Sequence, residues 1–121
     1  MSTFLGFNEL AILVTNSAIQ QKDIAIGIIM AESGGRSDAR NHVSNPGSPA
    51  DNSWDRGIWQ LNSYWFSNVS DERADDPEMA TAVAAWISGG GTRWGLWTTF
   101  NHGSHLRHIP AAQAALAAIG E

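Results

Sequence analysis

Two acidic side chains stand where this chain could do acid/base work. Glu32 ends an apolar run, Ile24-Ala25-Ile26-Gly27-Ile28-Ile29-Met30-Ala31, and passes straight into Ser33-Gly34-Gly35, a helix-ending turn. Asp55 follows a polar stretch and opens Asp55-Arg56-Gly57-Ile58-Trp59-Gln60-Leu61-Asn62, which adds two amide side chains. A carboxyl in an apolar, aromatic setting keeps its proton to higher pH, as a general acid requires. The competing reading of Glu32 is a solvated residue at a helix C-terminus, although a negative charge there opposes the helix dipole. Asp55 taken alone reads as a turn residue, because Asp before Arg-Gly is ordinary loop chemistry. Taken as a pair on opposite banks of a loop, the two suggest acid/base catalysis. Gln60 and Asn62 alternate in what should be an extended segment, so both amides face one side. They could serve sugar hydroxyls and acetamido groups, or simply satisfy the loop.

The elements that must position these residues are mainly helical. From Phe4 to about Gln21 apolar residues recur near the helical period, and Asp23 offers a start for a second helix, Ile24 to Glu32, buried on most sides. Between Gly34 and Asp55 the turn formers Asn45-Pro46-Gly47-Ser48-Pro49 and Asp51-Asn52-Ser53 predict a small β-hairpin or irregular loop region. Ile58 and Leu61 fit a short strand, followed at once by the rings of Tyr64-Trp65-Phe66. Asp75 or Asp76 before Pro77-Glu78 marks the start of a helix to about Ser88, with Met79, Ala82, Val83, Trp86 and Ile87 on one face. A further helix, Thr92 to Phe100, carries Trp94 and Trp97 three apart, by default as core. The last helix spans Pro110 to Ile119. His102, His105 and His108 could share a helical face and bind metal, but Gly103 and Arg107 among them and the lack of a carboxylate pattern favour a polar surface turn. No metal or other cofactor is expected.

Composition narrows the function classes. A chain of 121 residues is read as one domain, 1–121, with room for a single site. With no cysteine, neither disulfides nor thiolate metal sites hold it together, and the apolar core must suffice. The net charge of −5 argues against a nucleic-acid phosphate tracker. No apolar run approaches the roughly 20 residues of a membrane span, so membrane insertion is not expected. Met1-Ser2-Thr3-Phe4 lacks a basic start, so a removed secretion signal is not expected, and export would come from another protein or from lysis. Six tryptophans are many for this length, and such rings serve either as core or as platforms for sugar faces.

At the motif level the chain resembles a known family. Ala31-Glu32-Ser33, with Ala39 and Asn41 downstream, and Asp55-Arg56-Gly57-Ile58-Trp59-Gln60-Leu61-Asn62-Ser63-Tyr64-Trp65-Phe66 look like the glutamate and Asp-x-Gly-Ile-x-Gln-Ile-Asn-Ser-x-Trp-Trp motifs of lysozymes of the chicken type. Ala82, Ile87, the glycine-rich turn and Trp94-Gly95-Leu96-Trp97 are similar to that family's helix and paired tryptophans. The first two motifs also resemble those of soluble lytic transglycosylases and of lysozyme-like domains in phage tails and endolysins. The likeness covers roughly Asp23 to Phe100.

The resemblance implies an α+β, mainly α-helical lysozyme-like fold with a small β-hairpin lobe and a cleft between lobes. Glu32 would be the general acid and Asp55 the nucleophile or stabilising carboxylate. Trp94 and Trp97 would close over Glu32 and raise its pKa, as in lysozyme, the standard example of such tuning. Gln60 and Asn62 would line the cleft, and Trp65 and Phe66 would stack on sugar rings. The substrate would be the glycan strand of peptidoglycan, cut between N-acetylmuramic acid and N-acetylglucosamine. A lytic transglycosylase would use Glu32 alone and leave 1,6-anhydro ends, and a non-catalytic glycan-binding or structural tail domain is the reading from another class. The acidic, cysteine-free composition departs from the basic, disulfide-bonded animal enzymes and fits a phage virion or endolysin domain acting on the bacterial cell wall. The interval from Glu32 to Asp55, 55 − 32 = 23, is longer than in the chicken-type enzymes and implies an insertion around Asn45 to Asp51.

Overall fold

Helix α2 (Lys22–Ser33) is the axis on which the rest is arranged. Ala25, Ile26, Gly27, Ile28 and Ile29 are buried at consecutive positions, so its middle turns are enclosed by protein on all sides. The computed structural model describes residues 3–121. Around α2 pack helix α1 (Phe7–Thr15), the C-terminal helix α6 (Ile109–Ala118) and the short 3-10 turn Leu106–His108. Asp23 does not cap α2, which begins one residue earlier. It lies in the first turn, where its charge suits the helix dipole, and it accepts a hydrogen bond from Gln113 of α6 at 3.2 Å. At the other end Gly34 takes the left-handed conformation (φ 63°) and stops the helix.

The first helix is shorter than its periodicity suggests. Leu10, Ala11 and Val14 form its buried face, but the hydroxyl of Ser17 bonds back to the Val14 carbonyl at 2.6 Å and ends the helix at Thr15. Before it, Phe4 is an extended residue bridged to Arg36. The expected hairpin is present and gains a third strand. Strands β1 (Arg40–Val43), β2 (Ser53–Arg56) and β3 (Leu61–Asn62) form an antiparallel sheet in the order β1-β2-β3, with residues 44–52 as the β1–β2 connection. Asn41 pairs with Asp55 and Asp55 with Asn62, so these three lie in one row on one face of the sheet. Gly57 begins the turn from β2 to β3 at φ 76°, and a Cβ there would sit 1.8 Å from the Ala74 carbonyl. Only glycine lets the sheet approach helix α3 (Asp71–Asp75) so closely.

Helix α4 (Pro77–Ile87) starts as expected, with Asp76 accepting from the Met79 amide at 3.0 Å and Pro77 in the first turn. Its orientation is rotated from the expected one: Val83 and Ile87 still pack against the core, partly buried, but the other expected members of the face do not. Ala80, Thr81, Ala84 and Ala85 face the core, whereas Met79 and Trp86 face solvent, Trp86 being 82% exposed. Small residues win the inner face because the large ring of Trp59 already fills that space, its indole N–H donating to Thr81 Oγ1 at 3.0 Å.

The expected helix from Thr92 to Phe100 is only the single turn α5 (Thr98–Asn101), and Trp94 and Trp97 precede it in irregular chain. They are held by ring packing instead. Trp94 stacks parallel to Trp59 at 6.0 Å, and Trp97 meets both at 5.4 and 5.7 Å. The histidines do not share a face either: His105 is buried against Phe100, His108 lies beside Phe7, and His102 is exposed. Among the described residues no helix is long and apolar enough to cross a membrane.

Candidate active site

Glu32 occupies the last turn of α2, and its neighbour fixes that turn. The Ser33 hydroxyl donates to the Ile29 carbonyl within the helix (3.1 Å) and to the Ile58 carbonyl between β2 and β3 (2.9 Å), and it accepts from the Gly35 amide. One side chain therefore ties the helix end to the sheet region. The Glu32 carboxyl is half-buried, and Thr99 of α5 donates its hydroxyl to Oε2 at 2.7 Å. Burial raises the Glu32 pKa above the ordinary glutamate value; the Thr99 bond works against this, and the charge of Asp55 adds to it. That last contribution places Asp55 within electrostatic reach of Glu32.

Asp55 is held differently. It projects from the middle of β2 and is about half-buried, and Asn62 Nδ2 donates to its Oδ1 at 3.0 Å. Burial raises its pKa too, opposed by the Asn62 bond and by the positive charge of Arg56. The same Asn62 amide donates to Ser53 Oγ at 2.8 Å, and its oxygen accepts from the backbone amides of Tyr64 and Trp65. Asn62 thus links the second acid to the start of the aromatic loop. Arg56, only 3% exposed, holds the far side of that loop through the carbonyls of Leu61, Phe66 and Val69, with Asp71 beside it. A buried guanidinium is tolerated here because backbone oxygens and one carboxylate take up its donors.

The amides expected to act as a pair do different things. Gln60 lies in the turn between β2 and β3 with φ 53°, so the two-residue alternation does not extend to it. Its Oε1 accepts from Asn41 at 2.6 Å, and its Nε2 donates to the carbonyl of Gly57 at 2.9 Å, with Ala39 at 3.4 Å. Both ends are engaged inside the protein, locking β1 against the turn.

The aromatic residues divide as well. Trp65 is 61% exposed and meets Tyr64 edge to face at 4.8 Å, leaving ring surface open to a ligand. Phe66 packs against the core. Trp94 and Trp97 are 2% and 4% exposed, so they have no open face for a sugar. Nor is Trp94 anchored near Glu32: its indole N–H donates to Gln21 at 2.8 Å, at the opposite end of α2, about 16 Å of helix away. Trp97 donates to the Trp59 carbonyl at 3.0 Å. The group that meets the Glu32 carboxyl is Thr99, which lies 67 residues away in sequence and belongs to no motif that could have pointed to it. Asn41, part of the sequence motif but given no role there, is placed beside Asp55 by the strand register.

Two carboxyls, one under the charge of the other and one with an amide donor and a guanidinium charge beside it, can divide the roles of proton donor and anion at a cleaved bond. Comparison with known proteins supplies the family. A family described as a lysozyme-like domain matches residues 11–99. The match runs from α1 to Thr99 and covers both carboxyls, the sheet and the three packed indoles, while the segment from Phe100 onward lies outside it. No curated protein and no solved structure matches the chain.

Proposed function

This chain belongs to the lysozyme-like domain family, and on that premise we propose that it is a muramidase hydrolysing the β-1,4 bond between N-acetylmuramic acid and N-acetylglucosamine in peptidoglycan. Family membership supports cleavage of peptidoglycan by a glycosidase or lytic transglycosylase kind of activity. The observation that carries the finer reading is the pair itself: a half-buried Glu32 with a raised pKa, under the charge of a second carboxyl that has its own amide donor.

In this reaction Glu32 donates its proton to the glycosidic oxygen as the bond to the sugar's anomeric carbon breaks. Asp55, ionised, forms a covalent adduct with that carbon or stabilises its positive charge. Ionised Glu32 then takes a proton from water, the water oxygen bonds the anomeric carbon, and both carboxyls return to their starting states. Burial of Glu32 serves the first step, and the Asn62 amide and the Arg56 charge near Asp55 serve the second. Thr99 orients the Glu32 carboxyl by engaging Oε2, which leaves Oε1 for the substrate. Among the residues expected to bind sugar, Trp65 supplies the open ring, while Asn62 and Gln60 hold the wall on which the sugars lie. Phe66, Trp94 and Trp97 support that wall from within.

An acidic, cysteine-free domain of this kind suits a phage tail protein or endolysin whose targeting to the wall lies elsewhere. The direct test is turbidity loss of purified cell walls with the parent and with Glu32→Gln. The parent should clear the suspension and the variant should not. Equal clearing by both would remove Glu32 from the mechanism.

A further inference from the structure

An open groove of about 1140 Å³ lies between α1 and α4 and is lined by neither Glu32 nor Asp55. Its apolar surface comes from Leu5, Ile12, Leu13, Ala82 and Ala85, with Ile12 half exposed. Its charge is of one sign. Glu9, Glu72, Asp75, Asp76 and Glu78 all line it, five of the chain's 12 acidic residues, while none of the seven Lys and Arg does. Asp75 is paired with Arg40, and Asp76 caps α4. Among the described residues Glu9, Glu72 and Glu78 have no cationic partner. Beside the groove runs the outward face of α4, with Met79 and the nearly fully exposed Trp86.

An apolar floor under an anionic rim excludes most occupants. An anionic lipid surface or a nucleic acid would be repelled by the rim. A free polyamine would satisfy the rim but leave the floor wet. The chemistry that meets both is an amphipathic polypeptide with Lys and Arg along its edges. The dimensions agree: α1 from Glu9 to Thr15 and α4 from Pro77 to Ala85 present about 9 and 12 Å of wall, close to two turns of helix. We propose that the α1–α4 groove is a docking site for a basic amphipathic helix of a partner polypeptide. Its apolar side chains seat on Ile12, Leu13 and Ala85, and its cations face Glu9, Glu72 and Glu78. The docking site uses no residue of the catalytic reading and stands apart from it.

The probe is a fluorescein-labelled helical peptide of leucine and lysine in amphipathic order, followed by fluorescence anisotropy, with a glutamate-for-lysine version as control. The lysine peptide should bind at low salt and weaken as salt rises, and the glutamate peptide should not bind. The double variant Glu9→Gln/Glu78→Gln should weaken binding about tenfold, and Ile12→Ser should also weaken it. Asp23→Asn/Glu121→Gln, which removes the same number of charges outside the groove, should leave binding within about twofold. Amide chemical shifts should move in α1 and α4. Equal weakening by the two double variants, or shifts elsewhere in the protein, would show that only net charge attracts the peptide and would overturn the groove. Wall lysis by Glu9→Gln/Glu78→Gln should match the parent, so this test and that of the muramidase reading fail separately.

Discussion

Glu32 is delivered by a buried helix and touched by one hydroxyl, whereas Asp55 stands on a small sheet among amides that bond it and one another. Both carboxyls have raised pKa values from burial, yet the surroundings pull against that burial to different degrees. Glu32 has a single opposing donor and an added push from the charge of Asp55. Asp55 has an amide donor and a nearby guanidinium charge, both favouring ionisation. The lesson is that two like side chains need not differ in depth to differ in role. The number and sign of their neighbours decides which one keeps the proton.

The largest effect should come from the helix side. Glu32→Gln removes the only proton donor in the proposed step and should cost about 10³-fold or more in wall lysis. Asp55→Asn keeps the shape and loses the charge, and should cost about 10²-fold. A loss for Asp55→Asn below about threefold would mean that Glu32 works alone.

Next in size are two substitutions that separate the acids by pH. The proposed reaction needs Glu32 protonated and Asp55 ionised, so its acid limb follows Asp55 and its basic limb follows Glu32. Thr99 lowers the Glu32 pKa, so Thr99→Val should raise it and move the basic limb to higher pH, with Thr99→Ser restoring the parent profile. Asn62 lowers the Asp55 pKa, so Asn62→Ala should move the acid limb to higher pH and cost activity near the acid end. Each variant should move one limb only. If either moved both limbs equally, the separate tuning of the two carboxyls would be wrong.

The same contrast has a stability signature. A carboxyl whose folded pKa lies above its unfolded value is destabilising when ionised, so the penalty is absent below the unfolded pKa and fully present above the folded one. Glu32→Gln should therefore melt a few degrees above the parent at neutral pH, with the gap closing as pH falls below the ordinary glutamate range. The smallest effect belongs to the aromatic loop. Trp65→Ala should raise KM about fivefold through lost ring stacking and leave kcat nearly unchanged.

These contrasts also separate what could be read along the chain from what could not. Glu32 at a helix end and Asp55 beyond a hairpin were legible because an apolar run, a glycine stop and a turn cluster are local signals. The strand register that sets Asn41 beside Asp55 was not, since it depends on where residues 44–52 close the hairpin. On helix α4 periodicity favours bulky residues for the core, and Val83 and Ile87 do reach it, but the space beside Trp59 admits alanine and threonine and leaves Met79 and Trp86 outside. Trp94 and Trp97 look helical by spacing, but ring stacking and two indole hydrogen bonds hold them in irregular chain. Arg56 gave no signal because its partners are mostly backbone carbonyls, which every sequence has.

The most direct measurement is mass spectrometry of the fragments released from purified peptidoglycan in water enriched in heavy oxygen. Hydrolysis through Glu32 and Asp55 predicts muramic acid reducing ends that carry the heavy atom, one for each bond cut, because the water oxygen ends on the anomeric carbon. Fragments ending in 1,6-anhydro muramic acid without the label would contradict the account and leave Glu32 as the sole catalytic carboxyl.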